Sequence, residues 1–223
     1  MACGAHLLDG ADMNEGRVWV FYGSSSGLSN TPTVLSIGGV DSQFGYDVET
    51  AGDVNNDGFD DLVVAAVSYA NGQVAEGAAF LFLGSDTGVS TTPDWTFETD
   101  QTYAYVRFAG TAGDVNNDGF DDVVVGAERY RKTRLNEGAA WLFLGSETGL
   151  ADTPFWMELG WQIDARFGWR GGRAGDVDGD GLGDLIIGAN AYDNGGFDEG
   201  AAYVFHGSAT AIGTTQPADC DLP

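Results

Sequence analysis

Short runs of apolar residues, separated by glycine-rich polar turns, recur along the whole chain. Three such runs are residues 62–66, 123–127 and 185–189, and each is bounded by turn-forming residues. Short apolar runs between turns are typical of strands that are buried on both faces. No long stretch shows the period of an amphipathic helix. The pattern therefore predicts an all-β protein.

Two motifs recur with a single period. An apolar stretch that starts with Glu-Gly begins at Glu15, Glu76, Glu137 and Glu199, which are spaced by 61, 61 and 62 residues. A Gly-Asp-Val motif recurs three times with the same spacing, at residues 52–54, 113–115 and 175–177. Two motifs with one period indicate one repeating unit. For the recurring glutamates we expect a turn or hydrogen-bonding role.

Each unit reads as four strands. They are the apolar run, the stretch after Glu-Gly, a weaker strand after a Thr-Pro pair (94–98 and 155–159), and a strand before the Gly-Asp motif, near Phe44 and Phe167. Four strands per unit of this length are typical of a β-propeller blade. Aromatic residues at equivalent strand positions are expected to pack between blades, and they include Trp19, Phe80, Trp141 and Tyr203.

The combination of motifs resembles FG-GAP repeats, the blades of the integrin α-subunit propeller and of many bacterial secreted or surface proteins. The Phe-Gly pair stands at 44–45 and 167–168, whereas the middle copy has Tyr105 and Val106. The second pair is Gly-Ala at 4–5, 126–127 and 188–189, and Ala-Ala at 65–66. The resemblance covers almost the whole chain. It implies a β-propeller that binds calcium, in a protein that is extracellular or on the cell surface.

The repeat predicts a partial blade (1–30) and three full blades (31–92, 93–154 and 155–223, the last including a tail). Closed propellers hold about four to eight blades, and the resemblance implies seven. We therefore expect these three and a half blades to be part of a seven-bladed ring or to be completed by self-association. Cys3 and Cys220 stand near opposite ends of the chain, and both a bridge and two unpaired thiols remain open.

The Gly-Asp motif continues as Asp-x-Asx-x-Asp-Gly-x-x-Asp. Alternate positions place oxygen ligands on one side of a tight turn, and the glycine lets the backbone fold back. An all-oxygen set selects Ca²⁺ rather than zinc or copper. The twelfth residues are Val64, Val125 and Ile187 instead of the glutamate of an EF-hand. A last ligand at the ninth position is what the resemblance to integrin-like blades implies.

We therefore expect about three Ca²⁺ ions, one for each of the loops 53–61, 114–122 and 176–184. The alternative, a solvated turn, is disfavoured by the three copies in register. The predicted ligands, with main-chain carbonyls at Phe59, Phe120 and Leu182, are Asp53, Asn55, Asp57, Phe59 and Asp61; Asp114, Asn116, Asp118, Phe120 and Asp122; and Asp176, Asp178, Asp180, Leu182 and Asp184.

The chain carries 34 acidic residues against 9 Lys and Arg, a net charge of −25. Such a surface repels phosphates, which excludes nucleic acid and anionic membranes as general partners. No apolar run is long enough to predict membrane insertion. One connector differs, because residues 128–136 contain Arg129, Arg131, Lys132 and Arg134, whereas the equivalent connectors have no basic residue. The resemblance places it opposite the calcium loops, where ligands bind. Either an acidic peptide or anionic glycan binds there, or the loop is merely solvated.

These patterns predict a non-enzymatic, calcium-binding propeller module for adhesion or for recognition of a protein or glycan. No nucleophile elbow, phosphate loop or dinucleotide motif is present. His6 and His206 lie in no acid-rich pattern, and no functional role is expected for them. Two alternatives remain: a propeller domain of an extracellular enzyme of the polysaccharide lyase or phospholipase type, and a purely structural assembly module.

Overall fold

The computed structural model describes residues 1–210 and 212, and its named elements are all β-strands. The predicted all-β class is confirmed. No helix in this part of the chain is long and apolar enough to cross a bilayer. In chain order the strands are β1 (Ala2–Ala5), β2 (Arg17–Val20), β3 (Gly23–Ser24), β4 (Gly27–Leu28), β5 (Thr33–Leu35), β6 (Phe44–Gly52), β7 (Asp61–Ala66), β8 (Ala78–Phe82), β9 (Trp95–Glu98), β10 (Val106–Gly113), β11 (Asp122–Ala127), β12 (Ala139–Phe143), β13 (Trp156–Leu159), β14 (Phe167–Gly175), β15 (Asp184–Ala189) and β16 (Ala201–Phe205).

Four antiparallel sheets follow one another along the chain. Sheet 1 is β1-β2-β5, sheet 2 is β6-β7-β8-β9, sheet 3 is β10-β11-β12-β13 and sheet 4 is β14-β15-β16, while β3 and β4 form a small hairpin. Within sheets 2, 3 and 4 each strand pairs with its sequence neighbour, whereas in sheet 1 the small β3–β4 hairpin separates β2 from its partner β5. Among the described residues, sheets 1 and 4 have three strands and sheets 2 and 3 have four.

The sheets are offset from the predicted units 31–92, 93–154 and 155–223. The strand after each Thr-Pro pair was expected to begin a unit, but β9 pairs with β8, and β13 pairs with β12. These strands therefore complete the preceding sheet. In sheet 1, β5 pairs with β2 in the same way, so the partial blade continues to residue 35 rather than ending at 30. A repeat of fixed period has no intrinsic starting point, so the period alone does not decide which blade contains this strand.

Neighbouring sheets pack the aromatic residues that follow one Glu-Gly pair against the smaller residues that follow the preceding pair. Trp95 and Phe97 of sheet 2 and Trp156 of sheet 3 also lie at these interfaces. Between sheets 2 and 3, Ala79 and Leu81 lie in one buried cluster with Trp141 and Phe143 of the following sheet. Burial of such side chains stabilises the fold by roughly 1.5–3 kcal/mol for each large apolar residue. The same arrangement recurs at the other two interfaces, which contain Val18 and Val20 with Phe80 and Phe82, and Ala140 and Leu142 with Phe205. Of the recurring aromatic residues, Phe80, Trp141 and Tyr203 thus pack between sheets, whereas Trp19 lies on the outer face of sheet 1.

The Phe-Gly pair lies at the start of the first, inner strand of sheets 2 and 4, which are β6 and β14. In sheet 3 the inner strand, β10, starts at a different residue of the repeat. Phe44 and Phe167 are fully buried, and each pairs with the last residue of the second strand of its sheet. In sheet 3 the residue paired with Ala127 is Val106 rather than Tyr105. Two residues bulge out after Phe44 but only one after Val106, so the equivalent position falls one residue later.

The inner strands β6, β10 and β14 lie side by side. The guanidinium of Arg107, on β10, lies 3.7 Å from the ring centre of Trp169 and 5.0 Å from that of Tyr46. Arg170 on β14 donates to the Asp47 carboxylate on β6. This ion pair joins sheets 2 and 4 across the inner strand of sheet 3. The sheets therefore converge at their inner strands.

The two outermost faces of the described stack are apolar. On sheet 1, Cys3 is exposed, Trp19 is half-buried and Val34 is 46% exposed. On sheet 4, Ile186 is 40% exposed and Ala202 is exposed. The first face is of the aromatic type and the second of the small-residue type found at the internal interfaces. Cys220 lies outside the described residues, so the question of a bridge to Cys3 stays open.

We predict from these faces that the 223-residue chain self-associates head to tail. The small-residue face of one copy would receive the aromatic face of the next, because this pairing joins the sheets within one copy. Trp19→Ser should move the equilibrium towards monomer by at least tenfold in dissociation constant. The control Trp161→Ser changes a tryptophan that is 58% exposed on the connector side. Sedimentation velocity over the micromolar range is the measurement, and a wild-type chain that stays monomeric throughout would contradict the prediction.

Candidate metal centres

The three predicted calcium loops lie at the same end of three neighbouring sheets. Each loop follows an inner strand and ends where the second strand begins, at Asp61, Asp122 or Asp184. Adjacent loops also touch. The Asp121 carboxylate accepts the Asp53 amide at 2.9 Å, and the Gly183 amide donates to the Asp114 carbonyl at 3.2 Å. The structure therefore brings the residues of each predicted set into one turn and places the three turns in a row.

The first aspartate of each loop holds the turn closed. In the first loop the Asp53 carboxylate accepts backbone N–H groups from Asp57 at 3.0 Å and from Gly58 at 2.8 Å. The corresponding distances at Asp114 in the second loop are 3.1 and 3.0 Å. Gly58 has a φ of +92°, in the left-handed region that favours glycine. In the first two loops the side-chain oxygen of Asn55 or Asn116 accepts the same backbone N–H as the first aspartate, so the oxygens of the first and third loop positions lie close together.

The ninth-position aspartate is a buried bridge between the loop and the rest of its sheet. Asp61 is 2% exposed, and its two oxygens accept the amides of Val54 at 2.9 Å and Gly84 at 2.7 Å. Gly84 lies in the turn after the third strand. The same two bonds recur at Asp122, from Val115 and Gly145, and at Asp184, from Val177 and Gly207. One carboxylate thus fixes the position of each loop.

Burial makes two of these carboxylates hard to ionise. It raises the pKa of Asp61 to about 6 and that of Asp122 to about 7, although the backbone N–H bonds oppose the shift. At Asp184 burial also raises the pKa, but the N–H donors of Gly207 and Val177, together with His206, outweigh it and leave the pKa lowered. A cation in the loop would favour the ionised form of a buried carboxylate.

The third loop has the most carboxylates among its predicted ligands. Oxygen atoms of Asp176, Asp178 and Asp180 lie within 4.8 Å of one another. At the position of Asp178 the first two loops have Asn55 and Asn116, whose amides donate to the carboxylates of the following Asp57 and Asp118. The predicted ligand set of the third loop therefore has one more carboxylate and lacks this amide–carboxylate bond. The predicted carbonyl ligands at Phe59, Phe120 and Leu182 stay predictions.

His206 lies at the third loop, although the sequence pattern predicts no functional role for this residue. Its Nδ1 atom lies 3.3 Å from Asp178 and 3.4 Å from Asp184. Leu83 and Leu144 occupy the equivalent positions in the other two units. The repeat spacing does indicate that His206 lies near the third loop. His206 directly precedes Gly207, and Gly207 follows Asp184 by the same number of residues as Gly84 follows Asp61. The absence of nearby acidic residues in the sequence was therefore misleading.

The basic connector lies at the opposite end of sheet 3, because β11 runs from the Asp122 end to Ala127 and the connector follows. Arg129, Arg131, Lys132 and Arg134 are all exposed. Arg129 lies 5.2 Å from the ring centre of Tyr105, and Arg134 lies 5.7 Å from that of Trp161. The connector thus presents cations beside aromatic rings. The aromatic partners come from other segments of the chain, so the sequence of the connector alone does not predict them.

Comparison with known proteins gives a consistent result. The FG-GAP repeat family matches residues 44–79, 107–143 and 167–205. Integrin alpha-5 of Xenopus laevis is 30% identical over 177 residues, which is 77% of this chain and 16% of that protein. Human phosphatidylinositol-glycan-specific phospholipase D is 31% identical over 175 residues, which is 70% of this chain and 20% of that protein. The chain thus spans a fifth or less of the length of these relatives.

Among solved structures, Bacillus licheniformis Rhamnogalacturonan Lyase PL11 matches with a TM-score of 0.48 and 11% identity. The match covers 93% of this chain and 43% of that one. A likeness at this level carries no information about activity.

We expect the ninth-position aspartate to support the fold even without metal. Replacing Asp122 by Ala leaves two buried N–H donors without an acceptor, which should lower the free energy of unfolding by about 2–5 kcal/mol. Asp118→Ala, at an exposed position of the same loop, should cost less than about 0.5 kcal/mol. Urea unfolding in excess chelator measures both variants. Equal stability of the two would show that Asp122 does not have this structural role.

Proposed function

The chain belongs to the FG-GAP repeat family, and we propose that it is a calcium-binding β-propeller module that recognises a partner outside the cell. The observation that carries the calcium proposal is the set of three loops with the same hydrogen-bonded frame and an all-oxygen ligand set. Asp53, Asp114 and Asp176 each close their turn through backbone N–H bonds, which leaves the carboxylates crowded inside it. Oxygen ligands in this arrangement suit Ca²⁺.

Calcium would act on stability rather than on chemistry in this proposal. The ion offsets repulsion among the loop carboxylates and the cost of burying Asp61 and Asp122. A ligand that binds only the folded state stabilises it, by about 2.7 kcal/mol at a free concentration one hundred times its dissociation constant. The loops are tied to one another and to the third strand of each sheet, so the ions would stabilise this end of all three sheets.

Recognition is assigned to the opposite end, where the basic connector lies. The exposed Arg129 and Arg134 lie beside Tyr105 and Trp161 on a chain that is otherwise strongly acidic. Such a surface suits a partner that carries carboxylate or sulfate groups, whether an acidic peptide or an anionic glycan. The similarity to integrin alpha-5 supports a role in adhesion and a location outside the cell or on its surface.

A second candidate is a propeller module within an extracellular enzyme. The similarity to phosphatidylinositol-glycan-specific phospholipase D favours it, since the chain spans only 20% of that protein. Under this candidate the module itself is non-catalytic and a further domain supplies the reaction. Both candidates predict that the 223-residue chain alone does not turn over phospholipids or pectic polysaccharides, so turnover by this chain would overturn the non-enzymatic proposal. The same assays on the product of the parent open reading frame separate the two candidates, because only the second predicts turnover there.

We predict that Ca²⁺ raises the melting temperature of chelated protein and binds at all three loops. Asp57→Asn, Asp118→Asn and Asp180→Asn should each remove or weaken one binding event, because each lowers the ligand charge of one loop. The third loop should bind at least as tightly as the others, since it has four ligating carboxylates. Titration calorimetry and thermal unfolding are the measurements. If Ca²⁺ changes neither the heat nor the melting temperature, the loop assignment is wrong.

We predict that changing Arg129, Arg131, Lys132 and Arg134 together to Ser leaves the fold intact, because exposed cations contribute little to stability. Binding to poly-glutamate or to polygalacturonate should fall at least tenfold, and wild-type binding should weaken with added salt. The two probes separate acidic peptides from anionic glycans. Arg17→Ser controls for the loss of a cation outside the connector. Binding that is insensitive to salt and unchanged in the quadruple variant would exclude the connector.

A further inference from the structure

A second kind of acidic cluster lies on the connector side of sheet 2, away from the three Asp loops. It consists of Glu76, Glu98 and Asp100, whose carboxylate oxygens lie within 4.8 Å of one another. Glu76 lies two residues before Ala78, the first residue of β8, and β8 runs from this end towards the Asp-loop end of the sheet. The cluster therefore shares no residue with the predicted calcium loops.

Strand pairing brings these three residues together. Ala78 of β8 pairs with Glu98 of β9. In an antiparallel ladder the residue two before one partner lies near the residue two after the other, on the same face. Glu76 and Asp100 hold these two positions. The Thr99 hydroxyl donates to the Glu76 carbonyl at 2.9 Å, which holds the segment after β9 against Glu76.

Glu76 has an unpartnered oxygen in a fully buried side chain. Its relative exposure is 0%, and its Oε1 atom accepts the backbone amides of Asn71 at 2.6 Å and of Gln73 at 3.5 Å. Its Oε2 atom is buried and has no hydrogen-bond partner. A buried carboxylate oxygen without a partner is costly, and in folded proteins such an atom normally has a donor, a water or an ion. The neighbouring Glu98 and Asp100 offer further acceptors but no donor when ionised.

The equivalent glutamates in the other units provide an internal comparison. The two oxygens of Glu137 accept three backbone N–H groups and the Thr133 hydroxyl. Those of Glu15 accept two backbone N–H groups and the Arg17 side chain. At the positions of Glu98 and Asp100, sheet 3 has Leu159 and Trp161. Of the described buried glutamates at this position, Glu76 therefore combines an unpartnered oxygen with two adjacent carboxylates.

No described Lys or Arg forms an ion pair with these three carboxylates. The Asn71 side-chain amide donates to both oxygens of Glu98 at 3.2 Å and is the cluster's main neutral donor. Burial raises the pKa of Glu98, and the charges of Glu76 and Asp100 act in the same direction. Asp100 is exposed, so the cluster is open to solvent on one side.

We propose that Glu76, Glu98 and Asp100 form a further Ca²⁺ site on the connector side of sheet 2. Ligand oxygens at about 2.4 Å from one Ca²⁺ lie no more than about 4.8 Å apart, which the cluster meets. Water would complete the coordination through the open side at Asp100. The ion supplies the missing partner of Glu76 and joins the start of β8 to the end of β9. The site is independent of the three loops.

Equilibrium dialysis at saturating free Ca²⁺ tests the site by counting bound ions. If the loops also bind, the wild-type chain should hold four ions, and Glu98→Gln/Asp100→Asn should hold three. The control is Asp86→Asn/Glu147→Gln, which removes two exposed charges at equivalent turn positions of sheets 2 and 3 and should hold four. Equal numbers of bound Ca²⁺ ions in the wild type and the variant would overturn the inference. That outcome includes the case in which a shared proton, rather than Ca²⁺, neutralises the cluster.

The count also separates this inference from the loop proposal. A wild-type chain with one ion, lost in the Glu98→Gln/Asp100→Asn variant, would support this site and overturn the loops. If circular dichroism shows that the double variant does not fold, the single variant Asp100→Asn, at an exposed position, replaces it. This variant should weaken Ca²⁺ binding at one site at least tenfold. In the wild type, Ca²⁺ should also shift the amide resonances of residues 71–76 and 98–100. Unchanged resonances there, with shifts confined to the loops, would overturn the site.

Discussion

The fold depends at one end on a buried carboxylate that accepts two backbone N–H groups from different parts of its sheet. Asp61, Asp122 and Asp184 each join their loop to the turn after the third strand, so the inner, second and third strands are held together at that point. This arrangement satisfies backbone donors that would otherwise be buried without partners. It also places a negative charge where water is excluded. The same residue therefore stabilises the loop and adds a buried negative charge that a bound cation would neutralise.

Stacking of the sheets follows from a second constraint, the pairing of unlike faces. Aromatic side chains such as Trp141 pack in one buried cluster with small residues such as Ala79, and with Phe97, on the preceding sheet. The inner strands converge because Arg107 stacks between Tyr46 and Trp169, and because Arg170 reaches Asp47 across sheet 3. The side chains of Arg107 and Arg170 thus contribute to packing between the inner strands.

Carboxylates and exposed cations lie at opposite ends of sheet 3. Its Asp loop lies at one end, whereas Arg129, Arg131, Lys132 and Arg134 lie on the connector at the other end. Those on the connector of sheet 3 are exposed beside Tyr105 and Trp161. At the same end of sheet 2, the equivalent region carries Glu76, Glu98 and Asp100 instead. Neighbouring blades with one backbone plan therefore present opposite charges on the connector side, which suits selective rather than general binding of a charged partner.

The sequence by itself determined the all-β class, the repeat, the family resemblance and the membership of the three Asp loops, because each depends on local spacing that a fixed period repeats. Tertiary structure decided what local spacing leaves open. Pairing of β9 with β8 assigned the Thr-Pro strand to the preceding sheet, since hydrogen bonding rather than period defines a blade. Register placed Val106 rather than Tyr105 at the start of β10, the inner strand of sheet 3. His206 reached the third loop, and Glu76 met Glu98 and Asp100, through contacts between residues that are at least 22 positions apart. Such contacts exist only after the strands have paired, so the sequence pattern did not contain them.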